Sequence, residues 1–355
     1  MGNLALALVL AVSLTVLRFP NAQSQDFTSD AHVVEHPFTT AVASWDVNTP
    51  GGSWIETQLR ARIGSRWTNW YEMGHWSKDE SDGHRHSVQS PADGDGRVDT
   101  DTLYLTTASD AWQARVYFHP GAHGEMPTLT LFAVTTGDDT ATAQSLPNKN
   151  AWGVDIDVPE RTQRIDESPD ALGGGGDAWC SPTSVSMIMA YWAARTNHPK
   201  WDVDVASSAA GTYDPVYKGC GNWPFNVAFT SEHGLAGWVE RLSGMSDLER
   251  YVTLGVPLIA SIRVKTGELV GSPYKNTDGH LLVVRGFTRD GDVIANDPYG
   301  LPGHIRIIYK RAQFEHVWMG GSRGIVYVIA PPPLLEKLRG QTFVSRVRGA
   351  RLLGS

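Results

Sequence analysis

Cysteine is nearly absent: the 355 residues hold two, Cys180 and Cys220. That excludes a disulfide-dense scaffold and a multi-cysteine zinc module. In an exported chain it leaves open one structural disulfide or a free reactive thiol. Charge is scarce too, at 19% of residues, and acid outweighs base to give a net charge of −8 and a pI near 5.8. That balance favours neither nucleic acid nor an anionic membrane surface as partner. Past the N-terminus no apolar run is long enough to span a bilayer as a helix. With 41% apolar residues the composition is that of a folded globular protein, so disorder is excluded over most of the length.

The N-terminus does carry an apolar run, residues 4–17, too short for a membrane helix and of the length of an export signal. Ala22-Gln23-Ser24 places small residues where a signal peptidase cuts, before Gln25. Basic residues are missing ahead of the run, and Arg18 follows it, which keeps an uncleaved N-terminal anchor open as the alternative. The expectation is a signal peptide over 1–24 and a secreted protein, extracellular or periplasmic, with no membrane span after its removal.

Residues 27–136 read as an all-β domain. From Ile55 to Ile63, Ile55, Thr57, Leu59 and Ala61 alternate with Glu56, Gln58, Arg60 and Arg62, the pattern of a strand with one buried and one wet face. Further strands are expected over 103–105, 114–118 and 128–135, divided by turns rich in Gly, Pro and Asp. Short strands at that spacing predict a β-sandwich, jelly-roll-like. Residues 137–151 are polar and helix-poor, the composition of a linker. Residues 152–331 switch to mixed elements. Ser181 is a candidate cap for a helix whose first residue is Pro182. A short helix follows over 224–233, and Ser246 to Glu249 form a capping box for another. Strands are then expected over 258–264, 281–287 and 292–296, the last two turned by Asp290-Gly291. Helices first and an antiparallel sheet after them make an α+β domain. This division predicts that the part from Trp152 onward folds by itself. Residues 332–355 are a basic tail, expected to be solvated and partly disordered.

The chemistry concentrates on Cys180. A helix start carries unpaired N–H groups and partial positive charge, and both stabilise a thiolate. The backbone N–H of Cys180 is also placed to meet the oxygen of an attacked carbonyl. A thiol nucleophile needs a base, and the base an orienting partner. His280 opens an apolar strand and Asp297 ends the next one. The turn at Asp290-Gly291 folds those strands together, so the start of one and the end of the other lie side by side. His280 and Asp297 are therefore expected to be neighbours. The alternative is a surface histidine and a turn-forming aspartate.

Four strings stand in order: Trp179-Cys180-Ser181-Pro182-Thr183-Ser184, Gly221-Asn222-Trp223-Pro224-Phe225-Asn226, Gly279-His280-Leu281-Leu282-Val283 and Asn296-Asp297-Pro298. Together they resemble the papain-like cysteine peptidases related to those that process bacteriocin (double-glycine) leader peptides, and most closely the secreted bacterial branch without a transporter. The similarity spans about 158–329, and Ser44-Trp45 with the tryptophans of 67–76 resembles the β-rich domain attached to such members. The resemblance implies a papain-like α+β fold, a peptide or protein substrate (in the cell wall or elsewhere outside the cell) and a Cys180–His280–Asp297 triad. It also implies a glutamine in the oxyanion site, which falls on Gln163, farther upstream of Cys180 than in shorter members. Thiol chemistry of this kind needs no cofactor and no metal. The competing reading is an inert papain-like domain within an extracellular binding or adhesion protein.

Trp223 and Trp179 are the candidate substrate-binding residues. For Trp223 the rival reading is a helix entrance pinned into the core, and Phe225 is assigned to the core. Cys220 is expected to be a small buried thiol. Trp67, Trp70, Tyr71 and Trp76 could stack on a glycan or fill the core. His75, His84 and His86, with Asp79, Glu80 and Asp82, match no zinc spacing and read as a solvated loop.

Overall fold

A computed structural model describes residues 12–80, 83–89, 91–138, 146–165 and 172–343. The N-terminal part is built of strands: β1 (Val12–Gln23), β2 (Phe27–Thr28), β3 (His32–Asn48), β4 (Trp54–Ile63), β5 (Arg66–Trp67), β6 (Tyr71–Trp76), β7 (Gly96–Asp99), β8 (Thr102–His119) and β9 (Thr128–Gly137). All are antiparallel and belong to one nine-stranded hydrogen-bonded sheet with the path β1-β9-β3-β8-β4-β5. The all-β N-terminal part is as expected, and its strands share one hydrogen-bonded network. The strands expected over 103–105 and 114–118 are one strand, β8, of 18 residues, and β3 has 17. Strands of that length, with register shifts along the β3–β8 pairing, keep the whole sheet connected. β4 alternates as expected, with Ile55, Thr57, Leu59 and Ala61 buried.

Residues 12–23, assigned from the sequence to the second half of an export signal, are β1. They pair with β9 from Val12 opposite Gly137 to Arg18 opposite Leu131. Val12, Leu14 and Val16 point inward while Ser13 and Thr15 alternate with them, so the run carries a strand period as well as an apolar one. Residues 1–11 lie outside the described residues.

The C-terminal part begins with helices α1 (Cys180–Thr196), α2 (Val205–Thr212) and α3 (Trp223–Glu232). β10 (Ala236–Arg241), α4 (Met245–Thr253), β11 (Leu258–Val264), β12 (Thr277–Phe287), β13 (Val293–Asn296) and β14 (Arg306–Tyr309) follow. α5 (Arg311–Ser322), β15 (Ile325–Ala330) and α6 (Pro332–Phe343) complete the described part. Its six strands form a second antiparallel sheet, ordered β10-β15-β11-β12-β13-β14, with α1 packed on β12. The α+β order and the β12–β13 hairpin are as expected. Asn222 caps α3 by accepting from the Phe225 N–H, and Gly234 (φ +94°) follows its end. Two caps differ. Ser181 lies inside α1, and its hydroxyl pairs with the Tyr327 hydroxyl at 2.9 Å. α4 starts before the expected box, with Gly244 at its N-cap and Ser246 inside the helix; Asp247 takes the Ser243 N–H, and Glu249 turns inward to accept from Trp152 Nε1 and the Asn148 N–H. That buried carboxylate anchors residues 148–152, so the described end of the expected linker is docked. The start of the basic tail is ordered as well. α6 buries Leu335, and Glu336 pairs with Arg18 of β1.

The two parts share their packing. β10 is an edge strand of the second sheet, and alternate N–H groups along it turn away from β15. Side chains of the first sheet take them up: Asp46 accepts from Gly237 at 3.1 Å, Ser44 from Val239 at 3.0 Å and Thr135 from Arg241 at 3.0 Å. An edge strand is thus capped by side chains instead of another strand. Phe225 of α3 inserts between Trp45 and Trp76 with its ring edge-on to both. Arg85, 2% exposed, reaches across to the carbonyls of Ala210, Gly211 and Tyr213. Taken alone, the unit expected from Trp152 would leave Phe225 wet and the β10 donors without these acceptors.

Candidate active site

α1 starts at Cys180, and no side chain caps it among the described residues, which leaves its first-turn N–H groups facing the thiol. The Cys180 side chain is half-buried in the cleft that His280 also lines, close enough for the imidazole to act on the thiol's charge. His280 sits near the start of β12, and its Nε2–H donates to Asp297 Oδ1 at 2.9 Å, leaving Nδ1 for the thiol. Asp297 follows the end of β13 and is fully buried. Its second oxygen accepts from the hydroxyls of Tyr274 (2.9 Å) and Tyr309 (2.7 Å), and Oδ1 also receives the Tyr299 N–H. The Tyr274 ring packs against the imidazole, with centroids 4.6 Å apart. Asn296, next in the motif, is structural: its amide donates to the Val158 carbonyl, and its oxygen accepts from Arg285.

Burial opposes charge on all three groups, and the contacts among them reverse it. For Cys180 the cost of burial is outweighed by the hydrogen bond and charge of His280 and by the N–H groups of Leu281 and Ser181, so its pKa lies below the ordinary thiol value. For His280, burial is outweighed chiefly by Asp297, and its pKa rises above the ordinary imidazole value. For Asp297, burial is outweighed by His280 and by the Tyr309 hydroxyl, and its pKa falls. Each direction favours a thiolate beside an imidazolium.

A cleft of about 750 Å³ opens over Cys180 and His280. Its far wall comes from the first sheet, through the β7–β8 turn at Asp99, Thr100 and Asp101. Asp101 is buried, accepts the Trp223 N–H at 2.9 Å, and has its pKa pushed up to about 7, mainly by burial. Trp223 lines the cleft half-exposed, while Phe225 is in the core.

Residues 21–137 match the family described as Peptidase C39 N-terminal domain, and residues 155–323 match the Peptidase C39-like family. The chain belongs to the C39-like peptidase family. Among solved structures, one described as a C39-like peptidase from Bacillus anthracis is 17% identical, covering 49% of this chain and 96% of its own, with a TM-score of 0.34. A family two carbohydrate esterase from Cellvibrio japonicus is 13% identical over 52% of this chain and 50% of its own, with a TM-score of 0.15. No curated protein matches the chain.

Within this C39-like domain, two candidate site residues lie elsewhere than expected. Gln163 is buried, and its Nε2 donates to the Gly176 carbonyl at 2.6 Å; its side chain does not line the cleft. It braces the glycine-rich segment ahead of Cys180, whose length the sequence could not convert into a position. Trp179 is 3% exposed, bonds the Leu172 carbonyl through Nε1 and packs in a small cluster with Val205, Ala209 and Cys220. It is a core residue because the turn into α1 points it away from the cleft. Both cysteines are free. Cys220 is buried, with its thiol against the carbonyls of Leu172 and Ala209 at 3.5 Å, and burial pushes its pKa up to about 12. The aromatic group divides: Trp76 and Tyr71 are core, while Arg60 lies over Trp67 and Trp70, and Arg115 over Trp70 at 4.0 Å. The guanidinium groups occupy ring faces that a sugar would need. Sequence reasoning missed Asp101, Tyr274 and Tyr309. No local pattern marks them, since each reaches the site from a separate turn or strand. No helix among the described residues is long and apolar enough to cross a membrane.

Proposed function

We propose that this C39-like protein is a thiol hydrolase of papain-like architecture that cleaves amide bonds in peptides, with Cys180 as nucleophile, His280 as its acid–base partner and Asp297 orienting the imidazole. The observation that carries this reading is the His280–Asp297 bond at 2.9 Å, beside a cleft that Cys180 and His280 both line. The thiolate attacks the amide carbonyl, and the oxyanion forms beside the N–H groups at the start of α1. His280 gives its proton to the leaving amine, and the C–N bond breaks to leave a thioester on Cys180. Water then attacks the thioester while His280 takes its proton; the carboxylic acid leaves and the thiolate–imidazolium pair is restored. Tyr274 and Tyr309 hold Asp297, and Asp297 holds the imidazole.

The cleft wall from the first sheet makes the N-terminal part a component of the substrate site, with Trp223 packing against bound peptide. Export, guided by residues 1–24, is proposed on the sequence run alone; cleavage before Gln25 would remove β1 and leave β9 as the sheet edge. The test is turnover of a quenched fluorogenic peptide library by the full chain. Cleavage by the wild type and none by Cys180→Ala is the expected result. No cleavage by either, across the library and after reduction, would point to an inert domain.

A further inference from the structure

The outer face of the first sheet gathers histidines and carboxylates that the proposed hydrolase does not use. On β4, Trp54, Glu56 and Gln58 point outward, opposite the buried Ile55, Thr57 and Leu59. On β6 the alternation breaks, since Met73 and Gly74 are both buried. The register against β4 shifts there, and Gly74 takes φ +140°. The bulge puts Glu72 and His75 on the same outward face, which strict alternation would forbid. Glu56 lies opposite His75 in the pairing, and Gln58 opposite Glu72.

The result is a converging donor set. His75 Nε2 is 2.9 Å from a Glu72 oxygen and 3.9 Å from Glu56 Oε2. One donor atom from each of the three residues lies within 4.8 Å of the others. Gln58 holds the other Glu56 oxygen at 2.5 Å. His75 Nε2 is buried against the Glu72 carboxylate, and Gln58 Oε1 and His119 Nε2 are buried nearby without hydrogen-bond partners among the described residues. The His86 ring is 4.4 Å from that of His75, and its Nδ1 faces the Ser87 carbonyl at 3.0 Å. That contact fixes the proton on Nδ1 and turns the lone pair to Nε2, as a carbonyl partner does for metal-binding histidines. Trp54 stacks on His119 and His84, walling the patch with an aromatic surface.

We propose that Glu56, Glu72 and His75 form a divalent transition-metal site of the zinc class, with His86 beside it as a further imidazole donor. Mixed imidazole and carboxylate donors suit Zn²⁺ over Ca²⁺ or Mg²⁺, which take oxygen alone. The sequence reading discounted a metal because His75, His84 and His86 have no zinc spacing. The ligands instead come from two strands and a loop, and the β-bulge, not chain spacing, assembles them. The site has a mechanical consequence. His84 and His86 flank Arg85, the residue that spans the interface to Ala210, Gly211 and Tyr213. Metal at His75 and His86 would fix the loop that delivers Arg85, so the site is structural and tightens the seam between the two parts. The proposal does not rest on the hydrolase reading.

The test uses the full chain with Cys180→Ser, so that the thiol cannot take up metal, stripped with chelator and titrated with Zn²⁺ by calorimetry. One Zn²⁺ per chain with micromolar or tighter affinity, and a Tm raised by about 3 °C or more at saturation, is expected. In His75→Gln and in Glu72→Gln, each checked for folding by circular dichroism, affinity should fall by about 100-fold or more. Glu56→Gln serves the same purpose should either variant not fold. His123→Gln, at an exposed histidine outside the patch, should bind as the parent does. Absence of binding, unchanged affinity in His75→Gln, or an equal loss in His123→Gln would overturn the proposal.

Discussion

Cys180 and Cys220 carry the same thiol into opposite surroundings. Cys180 stands at a helix start, half-open to a cleft, with an imidazole and two backbone N–H groups directed at the sulfur. Cys220 is closed in by Trp179, Val205 and Ala209 with its thiol against two carbonyl oxygens, and burial outweighs the help that Arg85 and the Thr212 hydroxyl give its anion. One thiol is drawn toward ionisation and the other is pushed to about 12. Reactivity here follows from which polar groups face the sulfur, and burial alone would have raised both.

The sharpest way to break this comparison is to remove each thiol in turn. Cys180→Ala should lower kcat/KM by at least about 1,000-fold with little change in Tm. Cys220→Ala should keep activity within about twofold and lose about 1 kcal/mol of stability. Peptide turnover with parallel thermal melts reads both, and equal losses in the two variants would erase the distinction. A second break removes the wall that closes the cleft. A chain starting at residue 152 should fail to give a cooperative melt, because Phe225 would be exposed and the N–H groups of Gly237, Val239 and Arg241 would lose their acceptors. A soluble 152–343 fragment with a sharp transition would show that the seam is dispensable.

The pH profile sharpens the comparison further. With Cys180 shifted down and His280 shifted up, the thiolate–imidazolium pair exists between the two values. Activity should rise as pH climbs through the depressed thiol pKa and fall as it climbs through the raised imidazole pKa. Asp297→Asn removes the charge that holds the imidazole's proton, so the alkaline limb should move to lower pH by about one unit or more, the equivalent of a lost charge-assisted bond. A profile whose alkaline limb stays in place would mean that Asp297 does not set the state of His280. The smallest expected effect is at the tyrosines. Tyr309→Phe and Tyr274→Phe each remove one of several hydrogen bonds to the Asp297 carboxylate and should cost about tenfold in kcat/KM. Loss of folding in place of this kinetic change would make them scaffold only.

How much of this was legible depended on the range over which each residue acts. The β12–β13 hairpin was readable because Asp290-Gly291 is a local turn, and it carried the His280–Asp297 contact with it. The α3 cap at Asn222 and the end at Gly234 are equally local. Ser181 and the segment 246–249 misled because side-chain capping competes with distant partners, here Tyr327 for Ser181 and Trp152 with Asn148 for Glu249. Trp179 and Gln163 had the right chain positions, but the direction of a side chain out of an irregular turn is set by packing. Asp101, Tyr274 and Tyr309 were illegible for the same reason as Arg85: their partners are fixed only by the tertiary arrangement. β1 shows the converse, since an apolar run with Ser13 and Thr15 interleaved satisfies both a signal and a strand.

The most direct test of the account is competition between the two thiols for one reagent. The reduced full chain is treated at neutral pH with a thiol-directed electrophile, and the adduct is located by mass spectrometry of the intact chain and its peptides. A single adduct on Cys180 is expected, formed at least about 100-fold faster than any on Cys220 and slowed by at least about tenfold in His280→Ala. Comparable labelling of both thiols, or a Cys180 rate indifferent to His280, would contradict the account.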